Sequence, residues 1–276
     1  MPDLKISPPL VVLRGGGDLA TGVAARLWRS GFWVVITEIE QPLAVRRLVA
    51  LAEAVYANEF VVEDLRARRA RDVIEVQSFL SQGLIPVLVD PEATCRVQLR
   101  TAALVDGRMR KQPSELGIES APLVIGLGPG FVAGENCHAV VETNRGHRMG
   151  RVIWNGTSEP DTQLPDSVGG HAATRVLRAP QSGVFEGRVL LGDRVRKGDL
   201  LAAVGSAELR APFEGIVRGL LHDGVEVSKG LKVGDLDPRG DPALCRLISD
   251  KALAVGGGVL EALLTRPEIR RQLAGC

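Results

Sequence analysis

The sequence predicts an α/β protein: a mostly parallel sheet with crossover helices, then a small all-β module and a C-terminal helix. Three observations predict it. Apolar, strand-like runs alternate with helical stretches from Leu10 to about Ile153. A glycine loop, Gly15-Gly16-Gly17, falls directly between the first run and the first helix. Beyond Arg178 the pattern changes to short strands that repeat at an offset of 32 residues. A length of 276 residues suits one large domain or two ordinary ones.

Leu10–Arg14 (LVVLR) is a continuous apolar run closed by glycines and reads as a buried strand. Asp18–Ser30 follows with Leu19, Val23, Leu27 and Trp28 at helical spacing; Asp18 can cap its start and Gly31 ends it. Trp33–Glu38 is a second strand, Val73–Gly83 a helix feeding the strand Ile85–Asp90, and Ala102–Asp106 and Pro122–Leu127 two further strands. Such alternation implies a Rossmann-like domain over residues 1–156. His138–Asn144 and Gly150–Gly156 read as a strand pair at its edge. Residues 157–175 are polar, proline-bearing and aperiodic, the pattern of a linker. Residues 176–235 form the β module, and 236–276 a loop, a glycine-rich turn and a helix with Leu260, Leu263 and Leu264 as its apolar stripe.

Composition excludes several classes. Aromatics are only 4% of the chain, so the core rests on Val, Leu, Ile and Ala. A net charge of +1 argues against a basic nucleic-acid scaffold and against an acidic disordered tail. Of 34 basic residues 28 are arginine, which suits fixed anion contacts, although compositional bias explains the skew as simply. No apolar run is long enough to span a membrane, and MPDLKISPP lacks the apolar core of a signal peptide. Cys95, Cys137, Cys245 and Cys276 are scattered without a CxxC pair, which fits a reducing, cytoplasmic setting. Glycine is in excess: 32 residues, where average usage gives about 19. Much of it must sit at turns and close backbone approaches.

Gly15, Gly17 and Ala20 match the G-x-G-x-x-G/A spacing in the strand-to-helix context that dinucleotide binding requires. Gly15 allows the tight turn, Gly17 the approach of a pyrophosphate, and Ala20 close helix–strand packing. With Gly16, Asp18 and Thr21 they frame a helix N-terminus that offers N–H groups to an anion. Glu38, 23 residues after Gly15, stands where an acidic residue meets a ribose. Asp18 opposes a pyrophosphate at the helix mouth, so a strand-turn-helix without a ligand is the competing reading. A second loop, Gly126-x-Gly128-Pro129-Gly130, also follows a strand. Beyond it lie Cys137, His138, Glu142, Asn144, Arg145 and His147. His138, His147 and Glu142 are the candidate acid–base groups, and Asn144 with Arg145 a loop able to grip an anionic or planar ligand. The Cys-His spacing fits no usual metal site, so no metal is expected. No G-x-S-x-G, H-E-x-x-H or Walker pattern occurs.

In the β module, Ala179/Ala211, Pro180/Pro212, Gly183/Gly215, Gly187/Gly219, Gly192/Gly224, Val195/Val227, Lys197/Lys229 and Gly198/Gly230 are identical pairs at the 32-residue offset. Two such copies resemble the barrel-sandwich hybrid of biotinyl and lipoyl domains. That family carries its cofactor on a lysine between the half-units. No lysine occurs between Gly198 and Ser228, so no covalent biotin or lipoate is expected.

LRGGGDLATGVAARLWRSGF, ITEIEQPLAVRR, APLVIGLGPGF, HAVVETNRGH, GRVIWNG and SDKALAVGGGVLEALL occur in that order. Together they resemble the YqeB-like family of selenium-dependent molybdenum hydroxylase accessory proteins, from about Leu10 to about Leu264. The resemblance implies a maturation factor for an enzyme akin to xanthine dehydrogenase. Its expected partners are the apo-hydroxylase or other maturation factors, and self-association is left open. The expected ligand is a nucleotide or the molybdopterin cofactor at the two glycine loops. The family carries no settled catalytic residues. The alternative is an NAD(P)-dependent oxidoreductase using the first loop, with His138 or His147 as proton donor.

Overall fold

The computed structural model describes residues 7–110, 112, 114–161 and 173–276, so most of the expected linker lies outside the described residues. The chain divides into two compact units. The first comprises Met1–Pro42, Leu51–Asp161 and Ile248–Cys276; the second comprises Leu43–Ala50 and Thr162–Leu247.

In the first unit β1 (Leu10–Arg14) leads through α1 (Asp18–Arg29) to β2 (Trp33–Glu38). After α2 (Ala54–Ala57) comes a hairpin, β3 (Glu59–Val62) and β4 (Leu65–Ala70). Then α3 (Val73–Ser81) crosses to β5 (Ile85–Val89), and α4 (Cys95–Gln98) to β6 (Ala103–Asp106). The next strands are β7 (Val124–Leu127), β8 (Val132–Ala133), β9 (Ala139–Val141), β10 (Val152–Ile153) and β11 (Gly156–Thr157). One nine-stranded sheet runs β10-β9-β7-β6-β1-β2-β5-β4-β3, and β11 pairs with β8. β3–β4 and β9–β10 pair antiparallel, the other six pairs parallel.

All five residues of β1 are buried, which is why its sequence is continuously apolar rather than alternating. Leu10 and Val12 join Val76 and Leu80 of α3 in one core cluster. By strand alternation Val11 and Leu13 face the other side. That side is covered by α1, which buries Ala20, Val23, Ala24 and Leu27.

The cover on α1 comes from the far end of the chain, α5 (Asp250–Leu264), followed by α6 (Pro267–Ala274). Ser249 caps α5 by accepting from the Ala252 N–H at 3.2 Å. The approach of α5 to α1 is backbone to backbone. A Cβ on Gly256 would lie 2.5 Å from the Gly22 carbonyl oxygen, and one on Gly22 2.5 Å from the Ala252 carbonyl. A Cβ on Gly258 would lie 2.2 Å from the Gly150 oxygen. The expected glycine-rich turn is therefore corrected: Gly256, Gly257 and Gly258 lie inside a 15-residue helix. Each glycine costs the helix about 1 kcal/mol relative to alanine, offset at two of the three positions by the close approach.

The second unit contains β12 (Val176–Arg178), β13 (Gly183–Gly187), β14 (Arg194–Val195) and β15 (Leu200–Val204). Then follow β16 (Ala207–Arg210), β17 (Gly215–Leu220), β18 (Glu226–Val227) and β19 (Lys232–Asp237). They form two four-stranded antiparallel sheets, β12-β19-β17-β14 and β16-β15-β13-β18. Exchanging the two copies, 32 residues up for the donor and 32 down for the acceptor, converts the hydrogen bond from the Ala179 N–H to the Leu231 oxygen into its counterpart, from the Ala211 N–H to the Asp199 oxygen, both 2.9 Å. Gly192, Gly198, Gly224 and Gly230 all have positive φ and open space where a Cβ would point, so conformation alone selects glycine at these turns. Phe185, Leu201, Val217 and Leu236 form the core.

The expected fold class, a Rossmann-like mostly parallel domain followed by a barrel-sandwich hybrid and a C-terminal helix, is corrected by this architecture. The large sheet is mixed, because a charged hairpin extends one edge and β10 the other. Among the described residues no long crossover helix links β6 to β7 or β7 to β9; α5 instead packs on the same unit. The remaining strands form separate antiparallel sheets in a unit that also takes in Leu43–Ala50.

The α5 glycines separate propensity from packing. We expect Gly257→Ala, which meets nothing within 4 Å, to stabilise the protein by about 0.5–1 kcal/mol. Gly256→Ala should destabilise it by about 1–3 kcal/mol through overpacking. Urea unfolding of the two variants measures both, and equal effects would contradict the contact.

Candidate functional site

The first glycine loop leaves β1 at the carboxyl edge of the parallel strands, where open α/β sheets bind ligands. The loop is tethered from both sides. The Gly15 N–H donates to the Thr37 oxygen at 2.8 Å, and the Gly107 N–H to the Arg14 oxygen at 2.9 Å. The Gly16 N–H donates to Glu38 Oε1 at 2.7 Å, and the Ile39 N–H to Glu38 Oε2 at 3.0 Å. Glu38 is thus a brace between β2 and the loop. Burial pushes its carboxyl above the usual range, while those two N–H groups pull it back.

Gly17 is the N-cap of α1, with no side chain capping it. Its Cβ direction meets nothing within 4 Å. Among the described residues no protein acceptor takes the N–H of Gly17 or Ala20. Asp18, the cap expected from the sequence, lies instead one position inside the observed cap, Gly17, and accepts from the Leu19 N–H at 2.9 Å. Thr21 is fully buried: its hydroxyl donates to the Gly16 oxygen at 3.2 Å and accepts from the Leu51 N–H at 2.9 Å. Ala20 is buried, and a Cβ on Gly107 would stand 3.1 Å from its methyl, the close helix–strand packing the motif requires.

A charge network that matches no sequence motif adjoins this loop. Arg14 is buried at the end of β1, with 1% of its side chain exposed. It donates to the Pro91 oxygen at 2.8 Å and to Glu92 and Glu115 at 3.0 Å each. Arg108 chelates Asp106 at 3.0 and 2.7 Å and reaches Glu115 at 3.0 Å. Arg110 also pairs with Glu115. Glu115 is lowered to about 2 by its own backbone N–H together with Arg108 and Arg110. Arginines 14, 108 and 110 thus face three carboxylates, so the network is locally balanced. Its sequence signal was Arg14 itself, a lone charge closing a buried strand.

The second loop reaches the same edge, but its glycines contact protein. A Cβ on Gly126 would fall 2.0 Å from the Phe131 ring, one on Gly128 2.5 Å from the Thr143 hydroxyl, and one on Gly130 2.6 Å from the Gln112 oxygen. Met109 packs beside Gly128, and Arg108 beside Gly15, so the segment after β6 lies between the two loops.

The other candidates separate. Glu142 is buried and accepts from the N–H groups of Asn144 and Glu159 at 2.7 Å each, which holds the loop. Asn144 donates to Glu159 at 2.7 Å. Arg145 is exposed and pairs with both oxygens of Asp250, in the first turn of α5, at 2.8 Å. His147 is exposed. His138 faces Val124 at the opposite, amino end of β7, its Nδ1 accepting from the Val124 N–H at 2.9 Å. Burial pushes the Cys95 thiol up to about 12 and the Cys137 thiol up to about 11, so neither is a thiolate at neutral pH. Among the described residues no group of three His, Cys, Asp or Glu is placed to hold a metal ion, and no helix is long and apolar enough to cross a membrane.

Over 255 residues, 92% of its length, the chain is 48% identical to the Escherichia coli K12 protein described as uncharacterized protein YqeB. The chain is YqeB-like. It spans about half of that relative, 47% of its length. No family model matches the chain. Among solved structures, an aspartoacylase family protein from Mesorhizobium loti aligns at TM-score 0.29 and 13% identity, covering 85% of this chain and 87% of that one. The product-bound ectoine utilization protein EutE (DoeB) from Ruegeria pomeroyi aligns at 0.28 and 14%, covering 83% and 85%. A succinylglutamate desuccinylase/aspartoacylase from Rhodobacter sphaeroides aligns at 0.25 and 15%, covering 83% and 86%. Likenesses at these scores carry no argument about chemistry in the YqeB-like chain.

Two outcomes are expected here. Replacing Arg14 by Met leaves Arg108 as the counter-charge of buried Asp106 and unties the Pro91–Glu92 and Glu115 segments from β1, and should cost about 2–3 kcal/mol in urea unfolding. Burial, and then Arg266, lowers the His138 pKa from its ordinary 6.5. The neutral ring's contribution is therefore complete above that value and fades as pH falls through the lowered folded value. Stability of the protein should decline over that window, and His138→Phe should flatten the decline. An unchanged profile would contradict the assignment.

Proposed function

We propose that this YqeB-like protein is an accessory factor in the maturation of a molybdenum hydroxylase akin to xanthine dehydrogenase. In this reading it binds a nucleotide or molybdopterin-type ligand at the first glycine loop. The observation that carries the ligand class is the uncapped N-terminus of α1 behind Gly17. There, unclaimed backbone N–H groups and open space meet the positive end of a 12-residue helix. A phosphate ester suits those N–H groups. Glu38, with Oε1 on the Gly16 N–H and Oε2 on the Ile39 N–H, can still accept from a hydroxyl on a bound ligand. The neighbouring arginines are matched by carboxylates, so the site favours one phosphate on backbone dipoles over a polyanion on free guanidinium groups. The second loop holds the first in place through the segment between them. The pathway assignment rests on the family resemblance, with the apo-hydroxylase or another maturation factor as partner.

Gly17 gives a clean test, because its φ of −65° and its empty surroundings accept a side chain without strain. Gly17→Ala should fold, losing about 1 kcal/mol or less at the helix cap, and bind a phosphate-bearing ligand about tenfold or more weakly. Calorimetric titration of both proteins with molybdopterin, ATP and NAD(H) reads this. Tight NAD(H) binding with turnover of an added substrate would replace this reading with an oxidoreductase. Equal binding by the variant would remove the loop as the site. Retention of a molybdenum hydroxylase subunit on the immobilised protein tests the partner.

A further inference from the structure

Three guanidinium groups converge on one carboxylate beyond the end of β6. Glu115 Oε2 accepts from Arg14 Nη1 and from Arg108 Nη2 at 3.0 Å each, and Arg110 donates to Oε1. Two of these arginines are positioned without help from Glu115. Arg14 is also held by the Pro91 oxygen and by Glu92, and Arg108 is also chelated by Asp106. Asp106 in turn accepts from the Ser114 hydroxyl at 3.0 Å. The turn that brings Arg108 and Arg110 to one carboxylate includes Met109 at φ 56°, a conformation costly for a residue other than glycine. The donors therefore form a frame that persists whether or not Glu115 fills it.

Glu115 is the accessible member of this cluster. Its side chain is 45% exposed and that of Arg110 46%, against 1% for Arg14 and 18% for Arg108. Its carboxyl is lowered to about 2 by its own backbone N–H, with Arg108 and Arg110 adding to the effect, so it is an anion at neutral pH. Half-exposed ion pairs contribute little to stability, so the side chain can rotate into solvent at small cost. Arg14, Arg108 and Arg110 then face only Asp106 and Glu92, one positive charge in excess. Their donors line the solvent-facing volume that the carboxylate has left. A phosphate group suits that volume better than Glu115 does, because it offers one oxygen to each guanidinium, whereas Glu115 shares Oε2 between two. We propose that Glu115 is an internal plug in a phosphate site built by Arg14, Arg108 and Arg110, and that a ligand's phosphate group takes its place. This site adjoins the first glycine loop, since Arg108 Cγ lies 3.2 Å from where a Cβ on Gly15 would stand. It needs no contact with the N-terminus of α1, so it stands or falls apart from the ligand site proposed there. Only molecules with Glu115 swung out can bind, and apparent affinity is reduced by that fraction.

Calorimetric titration of the full chain with inorganic phosphate, glycerol 3-phosphate and acetate tests this. Glu115→Gln keeps the side chain's shape but turns one acceptor oxygen into a donor, which the arginine N–H groups do not accept. It should raise the affinity for phosphate, for the ester or for both by about tenfold or more, and the tighter of the two identifies the source. Glu115→Ala should do the same and serves if the glutamine variant does not fold. The gain should persist when Gly17→Ala is added, which separates it from binding at α1. Adding Arg110→Gln, at a half-exposed position, should reverse it. Equal phosphate affinity in the unaltered protein and both Glu115 variants would overturn the proposal. So would a gain that Gly17→Ala removes, a gain that Arg110→Gln leaves intact, or acetate binding to the Glu115 variants as tightly as phosphate.

Discussion

The first unit depends on two helices meeting without side chains between them. Gly22 of α1 and Gly256 of α5 each occupy space a Cβ would need, and Gly258 does the same against Gly150. α1 carries the glycine loop at its amino end, so whatever fixes α1 against the sheet fixes that loop. The chain's last segment thus supports the structure begun by its first strand. Arg145 adds a surface tie between the loop after β9 and the start of α5. The helix accepts a row of unfavourable residues because depth of contact outweighs their conformational cost.

The sequence was legible where burial is two-sided. The strands β1, β2, β5, β6 and β7 fall where continuous apolar runs place them, and α1 and α3 follow the helical period. The β3–β4 hairpin carries no clear strand signal because Glu59, Arg66, Arg68 and Arg69 mask its alternation. Its turn also uses Glu63 at φ 53° and Asp64 in place of a glycine pair. α5 was obscured for the opposite reason: three consecutive glycines carry the local signature of a turn, and only a tertiary contact makes them helical. At the site, Gly15–Gly17 and Glu38 do converge. Gly126, Gly128 and Gly130 look the same in sequence, but their space is filled by Phe131, Thr143 and Gln112. Spacing distinguishes none of this, because a glycine selected for a ligand and one selected for a neighbouring ring leave the same letter.

The arginine excess has a comparable resolution. Arg14 and Arg175 act inward, pairing with carboxylates from distant segments. A planar fork with five donors can bridge several acceptors from one buried position, which a lysine cannot do. The near-zero net charge and the many arginines are compatible: 33 acidic residues offset them, and a few arginines, Arg14 and Arg175 among them, are buried.

The 32-residue duplication has a consequence for how the second unit came to exist. Each of its sheets takes two strands from the first copy and two from the second, so neither copy contains a complete sheet. A lone copy would expose unpaired strand edges along both faces and could close only against another chain like itself. The covalent link between the copies replaces an association between separate molecules. It makes permanent, and independent of concentration, a symmetry that half the sequence would reach only as a dimer.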